Sequence, residues 1–277
     1  MAEKTPNNYS NGIETDREFI EKQTVRKGLV NVVVDESEIS FIDGRKGKLY
    51  YRGYSIEDLA EKSDFEEVAF LLLFRKLPNA FELEFFREKL ASERNLPDRI
   101  ITILQSFPMT TTRIELLRTA ISALSLFDVD DYDYTKPANI RKGIRIIAKI
   151  PTILAYSHRI KGNLPIVPPK ESLNHAANFY YMMTGEKPDA ENEKAFNVLL
   201  ILQAEHALNS STFSARVTCS TLSDIYSSIV SAIGTLRGPL HGGANERVIN
   251  YLLNEVKTKE NAIPWLESKL EKGEKVM

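Results

Sequence analysis

The sequence predicts an all-α fold, a multihelical orthogonal bundle with a small strand region near its N-terminus. Three observations predict it. Apolar residues recur with helical period from Asp64 nearly to the end of the chain, and turn signals cut that stretch into segments of helix length. Alternation near period two is confined to about Val30 to Tyr51. With 277 residues, 43% hydrophobic and 27% charged, the chain has enough apolar material for one large core or two domains.

Taken in order, residues 1–17 are polar, with Pro6, Gly12 and paired Asn, and read as a loose tail without the apolar stretch of a secretory signal. Val30–Val34 and Ile39–Ile42 read as short strands, with Asp43-Gly44 and Lys46-Gly47 as turns. Helices are then expected over 64–76, 80–93, 97–107, 112–127, 138–161, 172–184, 190–208, 211–237, 245–257 and 262–272. Leu77-Pro78-Asn79, Phe107-Pro108 and Lys161-Gly162-Asn163 punctuate them, and Pro151 should kink or break the helix that contains it.

Composition excludes several functions. A formal net charge of -2 gives no footprint for nucleic acid, and the longest apolar run, Val68 to Phe74, is too short to cross a bilayer. A cytoplasmic protein is expected. The lone Cys219 rules out an intramolecular disulfide, and His158, His175, His206 and His241 lack metal-site spacing, so no metal is expected. Arg141, Arg145 and Lys149, four apart, with Lys142 beside them, read as a solvated helix face, and Tyr180-Tyr181-Met182-Met183 as core. Gly242-Gly243 is no phosphate loop, since no Gly-Lys-Ser/Thr follows.

The run Gly238-Pro239-Leu240-His241-Gly242-Gly243-Ala244-Asn245 sets a histidine in a turn kept free of bulk, as if a ligand comes close to backbone there. Gly238-Pro239 should stop one helix, and Asn245 should cap the next. His241 then stands beside a helix N-terminus, whose free N–H groups favour an anion, and a neutral imidazole there could donate a hydrogen bond to a developing enolate. Thirty-five positions earlier stands His206-Ala207-Leu208-Asn209-Ser210-Ser211-Thr212-Phe213-Ser214-Ala215-Arg216. His206 reads equally as a core histidine at the end of an apolar helix, and Asn209 with Ser210 or Ser211 as capping residues between two helices.

Together these segments resemble the citrate synthase family, in which H-x-x-N-x-S-T-F-x-x-R is followed at similar spacing by G-P-L-H-G-x-A-N. The N-terminal Ile39-Ser40-Phe41-Ile42-Asp43-Gly44, then Leu49-Tyr50-Tyr51-Arg52-Gly53-Tyr54-Ser55-Ile56 through Ala60, resembles the family's entry segment. The resemblance runs from about Gly28 to the last residue. It implies a citrate synthase-like helical fold and a transferase of the tricarboxylic acid cycle, an acyltransferase that condenses acetyl-CoA with oxaloacetate. In such a site a carboxylate takes a proton from the acetyl methyl group, a histidine matching His241 stabilises the enolate, and a histidine matching His206, with Asn209 nearby, binds oxaloacetate. A further histidine polarises the oxaloacetate carbonyl. No cofactor beyond the acyl-CoA substrate is implied, and a homodimer is. Arg216 receives no substrate role, and the 50–52 segment is expected to serve packing and subunit contact.

In the family the smaller domain begins just after the histidine matched by His241, so 1–241 would form the large helical domain and 242–277 the incomplete start of the small one. Glu274, Lys275, Val276 and Met277 match the beginning of a coenzyme A-binding loop. The carbonyl-polarising histidine, the catalytic Asp and the arginines for oxaloacetate would lie farther along, so a truncated chain is expected. Three functions compete: citrate synthase or its propionyl-CoA relative, 2-methylcitrate synthase; a non-catalytic scaffold of the same fold; and the citryl-CoA lyase module of ATP-citrate lyase.

Overall fold

The computed structural model describes residue 32, residues 34–130 and residues 132–274. The 1–17 tail and most of the first expected strand lie outside these, and Val32 and Val34 form no strand. Contacts divide the chain into two units, Met1–Glu36 and Ser37–Met277. Every described strand and helix belongs to the second.

That unit opens with an antiparallel sheet of β1 (Ser40–Asp43), β2 (Lys48–Tyr51) and β3 (Tyr54–Ser55), in that order. Ser40 stands opposite Tyr51, and Tyr51 opposite Tyr54. The β2–β3 link is the two residues Arg52-Gly53, both at positive φ (49° and 90°), the hairpin turn that matches strand twist and for which Gly53 is suited.

Twelve α-helices follow among the described residues. They are α1 (Ile56–Lys62), α2 (Phe65–Phe74), α3 (Ala80–Ser92), α4 (Asp98–Ser106), α5 (Arg113–Leu124), α6 (Lys136–Lys161), α7 (His175–Thr184), α8 (Ala190–Leu202), α9 (Ser210–Ser220), α10 (Ile225–Leu236), α11 (Gly243–Asn250) and α12 (Ala262–Glu271). Their starts follow capping chemistry. Asp64 and Asn79 each accept from the third helical N–H, while Glu67 and Glu82 reach back to the cap N–H.

The main core gathers Ile100 and Leu104 of α4, Leu116, Ala120 and Ile121 of α5, Ile153 and Tyr156 of α6 and Tyr226 of α10. A second cluster joins Phe70 of α2, Phe86 and Leu90 of α3 and Ala148 of α6. A third ties the hairpin to the bundle, with Tyr51 against Leu59, Val68, Leu71 and Ile201. His175, buried and stacked 4.7 Å from Phe65 at the edge of the second cluster, is pushed down to about 3, first by burial and then by Arg94.

Four expectations are corrected. The break expected at Pro151 does not occur: α6 runs through it as one helix, with that residue buried and α6 gripped on both sides of it by Ala148 and Ile153 in different clusters. The 190–208 helix stops at Leu202. The expected 211–237 helix is two helices, parted at Thr221–Asp224, where Leu222 takes φ 62° and Asp224 caps α10 by accepting from Ser227 N at 2.8 Å. The basic face of α6 is covered at Lys142, Arg145 and Lys149 and open to solvent only at Arg141. Arg145 pairs with Asp128 and Asp130 at 2.7 Å, Arg141 with Asp130, and Lys149 with Glu93, while buried Lys142 donates to the Asp133 carbonyl.

The strand region extends four residues past Tyr51, to Ser55, and α11 starts two residues before Asn245. A π-turn (Tyr251–Val256) continues α11, and α12 packs back on it through Tyr251 and Trp265, whose ring centres are 5.2 Å apart. Of the 180–183 run, Met182 is fully buried while Tyr180 and Tyr181 are half-buried.

Candidate active site

Two interruptions in the helical chain meet at one cleft of about 930 Å³: the loop from the end of α8 to the start of α9, and the turn after α10. His206, Asn209, Ser211 and His241 line it. Clefts of about 700 and 420 Å³ elsewhere hold neither His206 nor His241.

The α8–α9 loop is shaped by backbone demands. The carbonyls of the last turn of α8 have no partner within the helix, and the Tyr51 hydroxyl meets those of Ile201 (3.1 Å) and Leu202 (3.3 Å) together with that of Glu205 (2.9 Å). The loop reverses at Ala207, which takes φ 54°; its N–H donates to the Glu205 carboxylate, which also accepts from Ser40 Oγ at 2.9 Å. His206 lies between these two residues and is exposed into the cleft. The core-histidine reading is thereby overturned. Asn209 is the N-cap of α9 rather than a residue past the end of α8, accepting from Thr212 N at 2.9 Å.

His241 is fixed by the same cap. Its Nε2 lies 2.9 Å from Ser211 Oγ, which is 2.8 Å from Asn209 Oδ1. Thr212 N–H identifies that Asn209 atom as the acceptor oxygen. The Ser211 hydroxyl has one proton to give. Directed at Asn209, it obliges His241 Nε2 to be the donor; turned to His241, it leaves the proton of a neutral ring on Nδ1.

The turn itself is shaped by packing. Gly242 N donates to Leu236 O at 3.0 Å, and a Cβ at Gly242 would collide with that same carbonyl oxygen. The small residue that looked like a berth for a ligand is required by the end of α10. Arg237 and Glu205 also line the cleft and were not singled out in the sequence. Arg237 Nη2 pairs with Glu115 at 2.7 Å, and the Glu115 carboxyl is held below its usual range, first by Thr112 N–H and its hydroxyl, then by Arg237. Position beside Gly238-Pro239 was the signal for Arg237. Arg216 is exposed on α9.

Glu274, past the end of α12, bonds to Lys269 through its side chain at 3.0 Å and is not part of the cleft lining. Lys275, Val276 and Met277 lie outside the described residues. Among the described residues no three His, Cys, Asp or Glu side chains gather as a metal-ligand set. No described helix is long and apolar enough to cross a membrane.

Comparison with known proteins fits this geometry. The family model "Citrate synthase, C-terminal domain" matches residues 28–277. The chain is 44% identical over 256 residues to the citrate synthase of Haloferax volcanii, covering 91% of this chain and 68% of that one. It is 42% identical over 257 residues to a 2-methylcitrate synthase of Mycobacterium tuberculosis, covering 93% and 65%. The solved citrate synthase of Thermoplasma acidophilum, in a ternary complex with carboxymethyl coenzyme A and oxaloacetate, superposes with a TM-score of 0.83 at 31% identity, covering 92% and 66%. The chain thus spans about two thirds of the length of each of these proteins. A model matched from residue 28 to residue 277, on a helical fold shared with solved members, means that the chain belongs to the citrate synthase family.

Proposed function

We propose that this chain supplies the histidine-bearing part of a citrate synthase site, which condenses acetyl-CoA with oxaloacetate and water to citrate and CoA. The observation that carries the reading is the single cleft in which His206 stands exposed while His241 hangs on the Ser211–Asn209 cap. His206, with Asn209 beside it, binds oxaloacetate. His241 donates to the oxygen of the enolate formed when a carboxylate removes a methyl proton from acetyl-CoA. A neutral His241 can do so from its far nitrogen when Ser211 gives its proton to Nε2. The carbon of that enolate then attacks the keto carbon of oxaloacetate, and hydrolysis of the thioester releases CoA. The ternary complex of the Thermoplasma acidophilum protein supports this substrate pair. Family membership places the chain among the transferases, and no cofactor is required beyond the acyl-CoA substrate.

In this reading 1–241 form the larger domain, 242–277 begin a smaller one, Glu274 to Met277 belong to coenzyme A binding, and the protein acts in the cytoplasm. The 42% identity to a 2-methylcitrate synthase makes propionyl-CoA the second acyl donor to assay.

A chimera that joins residues 1–277 to the remaining third of the Haloferax volcanii citrate synthase tests the site. There His206→Ala is expected to raise KM for oxaloacetate roughly 10- to 100-fold, the loss of a hydrogen bond to a charged ligand, with kcat changed far less. The opposite split would exchange the roles of the two histidines.

A homodimer is part of the same reading. Leu199, Val217, Leu222 and Leu240 are exposed on and beside α8–α10, apolar positions that a partner subunit would cover. Sedimentation equilibrium of the chimera at micromolar concentration should give a dimer, and a single monomeric species would refute it.

A further inference from the structure

His206 stands in a seven-residue loop with no regular structure and a left-handed turn immediately after it, yet a substrate ligand needs a fixed imidazole. The loop is held from outside by the N-terminal hairpin. Tyr51 of β2 spans from the last carbonyls of α8 to both backbone polar groups of Glu205, accepting from Glu205 N at 3.3 Å and meeting Glu205 O at 2.9 Å. Ser40 of β1, paired with Tyr51 across the ladder, donates to the Glu205 carboxylate, which in turn receives the Ala207 N–H. Both flanks of His206 are therefore tied to one pair of residues on the hairpin.

The Tyr51 ring fills its place among Leu59, Val68, Leu71 and Ile201 with no exposed surface, a role that phenylalanine would fill as well. The hydroxyl is the part that packing does not need. We propose that the Tyr51 hydroxyl, assisted by the Ser40–Glu205 pair, is a positioning group for His206, so that the hairpin sets the affinity of the site for oxaloacetate. This rests on the reading of His206 as an oxaloacetate ligand. Burial pushes the Tyr51 phenol up, so it keeps the proton it donates throughout the neutral range.

The test uses Tyr51→Phe, which keeps the ring and removes the hydroxyl. In the 277-residue chain, amide hydrogen exchange over 203–209 should speed up about tenfold, while α5 and α6, in a different core cluster, exchange as before. In the chimera, KM for oxaloacetate should rise about tenfold with kcat within about threefold. Glu205→Ala should reproduce both effects, and Glu205→Gln, which keeps an acceptor oxygen, should restore them. This second pair decides the matter if Tyr51→Phe fails to fold.

Unchanged exchange at 203–209, or exchange that rises equally in α5 and α6, overturns the proposal. So does an unchanged KM in Tyr51→Phe when His206→Ala raises KM. If His206→Ala itself leaves KM unaltered, the functional reading of His206 fails, and the positioning proposal fails with it.

Discussion

Replacing His241 by alanine in the chimera is expected to lower kcat by about two to three orders of magnitude while leaving KM for oxaloacetate within a few-fold, the usual signature of losing one aimed oxyanion donor. The size follows from where the ring is held. Its Nε2 is tethered at 2.9 Å to a serine that is itself tied to a helix cap, so its direction is set before any substrate arrives. A donor oriented in advance strengthens its bond chiefly as charge develops on the enolate, which is a transition-state effect rather than a binding effect. Steady-state kinetics on the purified variant checks it. An equal rise in KM with little loss of kcat would place His241 on the ground-state substrate instead.

The second large effect is structural. Gly242→Ala should destabilise the chain by about 1–3 kcal/mol, because its Cβ meets the Leu236 carbonyl oxygen and Leu236 side-chain carbons, and a helix-end carbonyl cannot swing aside as a flexible side chain can. Gly243→Ala is the control next door. Its Cβ would sit 3.4 Å from Gly238 O, ordinary contact, and should change stability by less than about 0.5 kcal/mol. Denaturant unfolding of both variants separates them. Equal stability in the two would mean that the turn after α10 yields freely, and that the collision with Leu236 does not constrain it.

Much of the architecture was legible because the hydrophobic period changes once, after the hairpin, and because Asp64 and Asn79 announce helix starts by local capping. The misreadings share a cause. Apolar residues recur past Leu202 at Ala204, Ala207 and Leu208, and on both sides of Thr221–Asp224, with Leu222 inside it, so period alone joins segments that tertiary contacts and left-handed residues divide. Asp224 with Ser227 three positions later was a readable cap, but the apolar pattern around it dominated. The same limit applies to the site. His206, Asn209 and His241 could be picked out from residue types in order, and Arg237 had a signal in its place beside Gly238-Pro239, whereas Glu205 had none, since only the folded chain shows a carboxylate meeting Ser40 from 165 positions away. The α6 basic face failed for a related reason. The acidic 128–133 segment that covers it looks, in sequence, like any solvated turn.

The separation between Tyr51 and the α8 terminus, 150 residues, has a kinetic consequence. Contacts that close so long a loop form late, after neighbouring helices such as α9 and α10 have met through short connections. The His206 loop therefore takes its final shape near the native end of the folding path. Weakening the hairpin tether should then leave the refolding rate almost unchanged and accelerate unfolding, so that during brief local openings the substrate-facing loop comes apart before the helical core does.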